Sequence, residues 1–498
     1  MVLIDALMSA LPGVLAPTNL AAVLLGTVAG LVVGALPGLT VTTGIAVLIP
    51  LTFGIDPLFA LGMMAGMYNG GSYGGAIPAI LLRIPGTPAS VATVMDGYAL
   101  TRQGKAAYAL QVAVFSGVVG SVLSAIALIL FAPGLAKISL AFGPAEFFWV
   151  AVLGLATVTS LLGSDFVKGA ISALIGLLIG TIGQDISTGD ERFTFGFLEL
   201  SEGMDLVVLL TALFAFPPVI TMMVNASKEG MPGHLLNLRS QGSVLAQWRM
   251  FLPVWLRSSV IGIIIGILPG AGGSMSCYLA YNDAKRRDPS PETFGEGNPR
   301  GIAASESGNG ADNASSMIPA LTLGIPGSGV AAVILGGLLV QGLRPGPQLF
   351  QDHPDIAYGF MLQMLISALM LAVVGGLTAT RIFGQALRLP TVLLAPVIML
   401  FITVGVYAVN NSAFDLWLFF GIGIFAWFIE KLNYPSAPII LGVMLGPIAE
   451  TQLNLAMTLG GGEVSSLAAT PLSWLLIVLS LFVLLTPCWR LVRRAKTA

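Results

Sequence analysis

Two polar clusters in this 498-residue chain each lead into an apolar run. The denser cluster reads Ser305-Glu-Ser-Gly-Asn309-Gly310-Ala-Asp312-Asn313-Ala-Ser315-Ser316 and enters Met-Ile-Pro-Ala. The other reads Asn69-Gly70-Gly-Ser72-Tyr73-Gly-Gly and enters Ala-Ile-Pro-Ala. Side-chain amides, hydroxyls and freed backbone groups at the start of an apolar helix suit two kinds of ligand. Helix N-termini with unpaired N–H donors bind carboxylates. Carbonyls at a break, joined by Asn, Ser and Asp oxygens, suit a hard cation. The plainer alternative is a helix-capping loop with glycines serving turn geometry.

Each cluster is followed by a Pro-Gly break, Ile84-Pro-Gly86-Thr87 in one case and Ile325-Pro-Gly327-Ser328 in the other. Proline frees a carbonyl one turn earlier and glycine permits close approach, so these breaks read as hairpin tips or helix discontinuities, with a simple kink as the alternative. A second pair of breaks, Leu36-Pro-Gly38 and Leu268-Pro-Gly270, precedes Thr40, Thr42 and Thr43 or Ser274 and Ser276. The candidate substrate-binding set is therefore Asn69, Gly70, Ser72, Tyr73, Gly86 and Thr87 from one half, with Asn309, Gly310, Asn313, Ser315, Ser316, Gly327 and Ser328 from the other. The candidate ligands for such a cation are Asp312, Asn309, Asn69, Thr40 and Ser274. Arg83 could pair with a substrate carboxylate, but an interfacial arginine extending its charge to water is the simpler reading.

The elements that must position these residues are membrane helices. Hydrophobic residues make up 56% of the chain and charged residues only 9%, far below the roughly 25% of soluble domains. Mean hydropathy is +0.91, and many apolar runs reach the ~20 residues that cross a bilayer core. A carboxylate such as Asp312 beside a membrane-embedded break is costly and marks a candidate site, the plainer alternative being a helix cap standing in water. The runs are continuous and rich in Leu, Ala, Gly and Val, which argues for an all-α polytopic bundle and against a β-barrel. Several functions lose their basis. Basic residues are scattered and the net charge is -2, so nucleic acid is not an expected partner. Cys277 and Cys488 offer no disulfide framework, His234 and His353 lie in polar loops, and Gly104-Lys105 is followed by Ala106, which spoils a P-loop. With no Lys or Arg before Arg83, a cleaved signal peptide is not expected.

Loop charge orients the chain. Arg102 with Lys105, the polar stretch from Lys228 to Arg257, Lys285 to Arg300, and the C-terminal Arg490, Arg493, Arg494 and Lys496 read as cytoplasmic. The acidic segment from Asp185 to Asp205 and the one from Asp352 to Asp355 read as external. Alternating between these marks predicts about 11–12 crossings, the last five near 358–378, 391–409, 416–430, 433–450 and 470–488. Arg257 and Lys285 fall on the same side with an apolar, Pro-Gly-interrupted stretch between them, too short for two crossings, so a re-entrant hairpin or two half-helices is expected there. Asp165 and Lys168 read as a structural pair.

Gly30-Leu-Val-Val-Gly34-Ala-Leu-Pro37-Gly38 matches Gly262-Ile-Ile-Ile-Gly266-Ile-Leu-Pro269-Gly270, and the two Ile-Pro motifs of each half share one spacing. The chain thus divides into residues 1–225, a cytoplasmic polar linker 226–254, and residues 255–498. Equivalent loops carry opposite charge, the pattern of an inverted-topology repeat with its binding site at the midplane. An intramembrane aspartyl protease is a weak competitor, since Ala311 interrupts the Gly-x-Gly-Asp pattern; a channel would need a continuous pore.

The stretches from Tyr68 to Pro88 and Gly308 to Ser328, with the loop Gly183-Gln-Asp-Ile-Ser-Thr-Gly-Asp-Glu-Arg-Phe-Thr-Phe-Gly, resemble the large membrane subunit of the tripartite tricarboxylate transporters, the TctA family. The resemblance covers essentially the whole chain. It implies a bacterial inner-membrane importer, not an enzyme, working with a small TctB-like membrane subunit and a periplasmic TctC-like binding protein. It implies uptake of citrate or a related carboxylate, with dicarboxylates and aromatic acids as alternatives, driven by sodium or by protons and without other cofactors. By analogy with other inverted repeats, an elevator-type motion is expected.

Overall fold

The computed structural model describes residues 2–36, 39–162, 166–185, 189–225, 244–268, 272–377 and 391–495. Helix follows helix. The first half runs α1 (Val2–Val14), α2 (Pro17–Ala35), α3 (Val41–Leu51), α4 (Pro57–Gly74), α5 (Ala76–Leu82), α6 (Val91–Arg102), α7 (Ala106–Ser139), α8 (Pro144–Leu162), α9 (Phe166–Gly180), α10 (Leu206–Leu210) and α11 (Phe216–Asn225). The second runs α12 (Trp248–Ile267), α13 (Gly272–Arg287), α14 (Pro299–Ser315), α15 (Met317–Leu323), α16 (Gly329–Val340), α17 (Pro347–Asp352), α18 (Pro354–Leu377), α19 (Thr391–Asn410), α20 (Ala413–Lys431), α21 (Ser436–Leu459) and α22 (Pro471–Ala495). Among the described residues seven helices are long and apolar enough to cross a membrane, and seven shorter apolar helices accompany them. The chain is an all-α, multi-pass membrane bundle. α18 to α22 fall on the five spans expected at the C-terminal end. α1, at 13 residues, is only about 20 Å long, too short to cross a bilayer core alone.

Small residues hold the centre together. On α2, Gly26, Gly30 and Gly34 recur every fourth residue, and a Cβ at these positions would lie 2.1, 2.5 and 2.4 Å from carbonyl oxygens of Met63, Met67 and Gly71 on α4. Reciprocally, a Cβ on Gly66 or Gly70 would lie 2.3 or 2.2 Å from the carbonyls of Val23 and Thr27. Two glycine stripes interlock so that backbone meets backbone, the close approach by which membrane helices associate without a hydrophobic driving force. α12 meets α14 in the same way: a Cβ on Gly262 would lie 2.4 Å from the Gly308 carbonyl.

The outer surface is apolar. Leu25 and Val28 on α2, Val260 and Ile264 on α12, and Trp417 and Phe428 on α20 are exposed, as lipid contact requires. Polar anchors sit at the edges. Asp96 of α6 accepts from the backbone N–H groups of Gly295 (2.8 Å), Gly297 (2.9 Å) and Asn298 (2.8 Å), and from the Tyr281 hydroxyl (2.9 Å). It clamps α6 to the entry of α14. In the acidic segment, Gly183–Gln184 pairs antiparallel with Glu191–Arg192. Arg192 reaches Glu450 on α21 through two hydrogen bonds (2.6 and 3.2 Å) and lies 3.3 Å from Asp185. That bond to Glu450, foremost, pushes the guanidinium pKa up. Lys168 donates to the Leu432 carbonyl (2.7 Å); its expected partner Asp165 lies outside the described residues, as do Pro37-Gly38, Pro269-Gly270 and most of the linker.

Candidate functional site

Both polar clusters lie inside helices. α4 starts on the Asp56 cap, whose side chain accepts from Phe59 N–H (3.0 Å), with Pro57 in the first turn. α14 starts on Asn298, which accepts from Arg300 N–H (2.9 Å), with Pro299 in the first turn. Each helix remains hydrogen-bonded through its cluster, and a bend at Gly75 or Ser316 passes it into α5 or α15. This departs from the expectation that the clusters free backbone groups. Their small residues let neighbouring helices close in and supply the bonds instead. Ser72 Oγ donates to Asn313 Oδ1 (2.9 Å), Asn313 Nδ2 to Asn69 Oδ1 (2.8 Å), and Asn69 Nδ2 to Ser367 Oγ (2.6 Å) and the Met364 carbonyl (3.2 Å).

The Ile-Pro-Gly segments are reversals. α5 ends on Arg83 in the left-handed region (φ 63°), and α15 ends on Gly324 (φ 72°). Ile84 N–H then donates to the Pro78 carbonyl and Ile325 N–H to that of Pro319, both at 3.3 Å. Gly86 N–H donates to the Gly75 carbonyl and Gly327 N–H to that of Ser316, both at 3.2 Å. The two tips are built alike. Their shared spacing pairs Tyr68 with Asn309 and Ser72 with Asn313, one residue off the register in which the two Asn-Gly pairs align. Neither tip glycine tolerates a side chain: a Cβ on Gly86 would lie 2.6 Å from the Gly34 carbonyl, and one on Gly327 2.4 Å from that of Gly266.

Between the tips lies a cavity of about 400 Å³. Its wall includes Thr40, Ser72, Thr87, Ser274, Asn309, Asp312, Asn313 and Ser328 from the expected set, together with Tyr68. Helix beginnings converge there. Thr40 caps α3, its Oγ1 accepting from Thr43 N–H (3.2 Å), and Ser328 caps α16, its Oγ accepting from Ala331 N–H (3.1 Å). Thr87 and Ser90 form a reciprocal cap before α6, and Gly272 and Gly273 open α13 against the same space. Among the described residues, no Lys, Arg or His lines the wall. Four helix N-termini, each with a partial positive charge and spare N–H donors, therefore face one cavity.

Among the described residues, the wall's one charged side chain is Asp312, 2% exposed, whose Oδ1 has no hydrogen-bond partner among them. The backbone opposite is close: a Cβ on Gly273 would lie 2.8 Å from Asn309 Oδ1 and 3.4 Å from Asp312 Oδ2. A buried carboxylate without a counter-charge is costly and calls for a cation or a proton. The arrangement can thus hold an anion at helix ends beside a cation at carboxylate and amide oxygens.

The remaining expected residues lie behind the wall. Ser316 Oγ shares a hydrogen bond with the Tyr68 hydroxyl (3.1 Å), which also meets Ser328 (3.1 Å). Asn69 is bound as described, Gly70 lies against α2, and Gly310 lies against the Gly117 carbonyl of α7. Tyr73 donates to the Leu110 carbonyl (3.4 Å), and Ser315 bonds back to Ala311 (2.7 Å). Arg83 is turned away from the cavity, its guanidinium 5.9 Å from the centroid of the Tyr98 ring. Sequence reasoning left two participants unassigned. Tyr68 stands next to Asn69 and bridges to the other tip. Glu306, within the quoted cluster, is 1% exposed and hydrogen-bonded by Thr93, at the edge of a void of about 10 Å³ shared with Asn69, Ser72 and Asn309. An acidic residue inside an otherwise small-residue buried helix was the available signal.

The profile of the Tripartite tricarboxylate transporter TctA family matches residues 20–441. A protein of Agrobacterium vitis described as an uncharacterized 52.8 kDa protein in the TAR-I ttuC' 3'region is 35% identical over 472 residues, 94% of this chain and 92% of the relative. A second protein of that organism, from the TAR-II ttuC' 3'region, is 33% identical over 220 residues, 44% of this chain and 90% of the relative. No solved structure matches. A bundle of membrane helices enclosing a polar cavity, matched by this family over most of its length, belongs to the tripartite tricarboxylate transporter TctA family.

Proposed function

We propose that the chain is the permease subunit of an ion-gradient-driven importer of small di- or tricarboxylates, citrate included. The supporting observation is the cavity itself: four helix N-termini around a space that no basic side chain lines among the described residues, beside the buried Asp312, whose Oδ1 has no partner among them. Substrate carboxylates sit against the N–H groups at Thr40, Thr87, Gly272 and Ser328. The coupling cation sits at Asp312 with Asn309 and Ser274. Sodium suits these hard oxygen ligands, and a proton on Asp312 is the alternative. Ser72, Asn313 and Tyr68 join the two tips, so occupancy on one side is felt by the other.

The two like-built tips and the opposite charge of their flanking loops support an inverted pair of repeats, residues 1–225 and 255–498, in a bacterial inner membrane with the C-terminus cytoplasmic. A TctB-like small subunit and a TctC-like periplasmic binding protein complete the system, and the hairpin-bearing elements move against a scaffold. The test is uptake of labelled carboxylates into proteoliposomes holding the chain and its small partner, with binding protein outside. Accumulation under an inward sodium gradient is expected. Equal uptake with sodium, proton and no gradient overturns the coupling; no movement of the binding protein's own ligand by a verified assembly overturns the transporter reading.

A further inference from the structure

Away from the central cavity, α12, α13 and the start of α14 enclose an open crevice of about 180 Å³. Three arginines line it. Arg300 is 2.9 Å from Asp288, which is saturated further by Ser290 N–H (3.0 Å), and Arg287 is 2.9 Å from Asp283. Both acidic side chains of the crevice are thus engaged. Arg257 is exposed and has no hydrogen-bond or ion-pair partner among the described residues. Its charge is the unmatched one.

Position along the helices sets the depth. At about 1.5 Å per residue, Arg257 lies about 16 Å from Leu268 along α12, and Asp283 about 16 Å from Gly272 along α13. With the end of α12 and the start of α13 at the bilayer midplane, where the inverted-repeat reading sets the binding site, both stand where a ~30 Å hydrocarbon core gives way to headgroups. Between break and crevice the surface is apolar and exposed: Val260 and Ile264 on α12, Met275 and Leu279 on α13. Acyl chains on that strip bring a headgroup to the crevice. The open site is cationic, and guanidinium forks bind phosphate oxygens in pairs.

We propose that this crevice binds the phosphate of an anionic phospholipid, with Arg257 as the principal contact. The test is native mass spectrometry of the full chain in neutral detergent, titrated with phosphatidylglycerol or phosphatidylcholine. Wild type is expected to hold phosphatidylglycerol at least about five-fold more tightly. Arg257→Gln should lose that preference, Arg257→Lys should keep part of it, and Arg249→Gln, elsewhere on α12, should keep all of it. Equal binding of the two lipids by wild type overturns the proposal without recourse to a variant, as does an unchanged preference in Arg257→Gln. Displacement by inorganic phosphate at matched concentration assigns the crevice to a soluble anion and overturns the lipid reading. Lipid preference is read apart from uptake, so failed transport with intact preference refutes only the transport reading.

Discussion

Replacing Asp312 by Asn keeps the side chain's shape and removes the one formal charge that the described residues bring to the cavity wall. The carboxylate is 2% exposed, and Oδ1 has no partner among the described residues. A cation about 3 Å from its centre, at an effective dielectric of about 20, gains about 5 kcal/mol. An amide oxygen retains part of this as a dipole, so a loss of about 2–3 kcal/mol is expected, or about 10²-fold in half-saturating cation. Without cation the sign reverses. The substitution removes an uncompensated buried charge, so the empty variant should melt at or above wild type. Two titrations read this: uptake against sodium at fixed substrate, and melting temperature against sodium in detergent. The expected variant needs about 100-fold more sodium for uptake and gains little melting temperature from it. With a proton as the coupling ion, uptake is lost at every sodium concentration. A half-saturating sodium within about threefold of wild type, or an empty variant melting several degrees lower, refutes the assignment.

Gly327→Ala places a methyl 2.4 Å from the Gly266 carbonyl and should cost about 1–3 kcal/mol; insertion is expected to survive while uptake falls at least tenfold, and the same holds for Gly86→Ala. Tyr68→Phe removes the hydroxyl shared by Ser316 and Ser328, worth about 1 kcal/mol per bond, and should raise half-saturating substrate several-fold in uptake assays. Asp96→Ala leaves the N–H groups of Gly295, Gly297 and Asn298 without their acceptor; a loss of about 3 kcal/mol, seen as faster hydrogen exchange at 293–300, is expected. Arg192→Met should cost about 1 kcal/mol or less, diminishing with salt, because the Glu450 pair is partly exposed.

Helix class, the C-terminal spans and the reversals at the two Ile-Pro-Gly segments were legible in the sequence, because apolar length and Pro-Gly breaks are local signals. Thr40, Thr87 and Ser328 could be named because each follows a break, where a cap is needed; Ser274 follows one as well and stands in the first turn of α13. Asn69 and Gly70 looked equivalent to Asn309 and Gly310, yet the tips set a register one residue away. Spacing along the chain does not reveal which face of α4 or α14 meets the cavity; the interlocked glycines decide that. The polar runs looked like loops because Gly, Ser and Asn are poor helix formers in water. Buried among other helices, their small side chains permit contacts that outweigh propensity. Glu306 and Tyr68 gained significance only through partners on Thr93, Ser316 and Ser328, far away in sequence.

The glycine stripes of α2 and α4 also restrict how the chain can move. Each glycine admits the neighbouring backbone, and the residues between them do not. Sliding one helix along the other by half a turn would drive side chains into carbonyls, and the next permitted register is four residues away, about 6 Å. Small axial displacements between these helices are therefore closed to the protein. Any stroke that carries the first hairpin across the membrane must take α2 with α4 as one rod, with sliding confined to surfaces lacking such teeth.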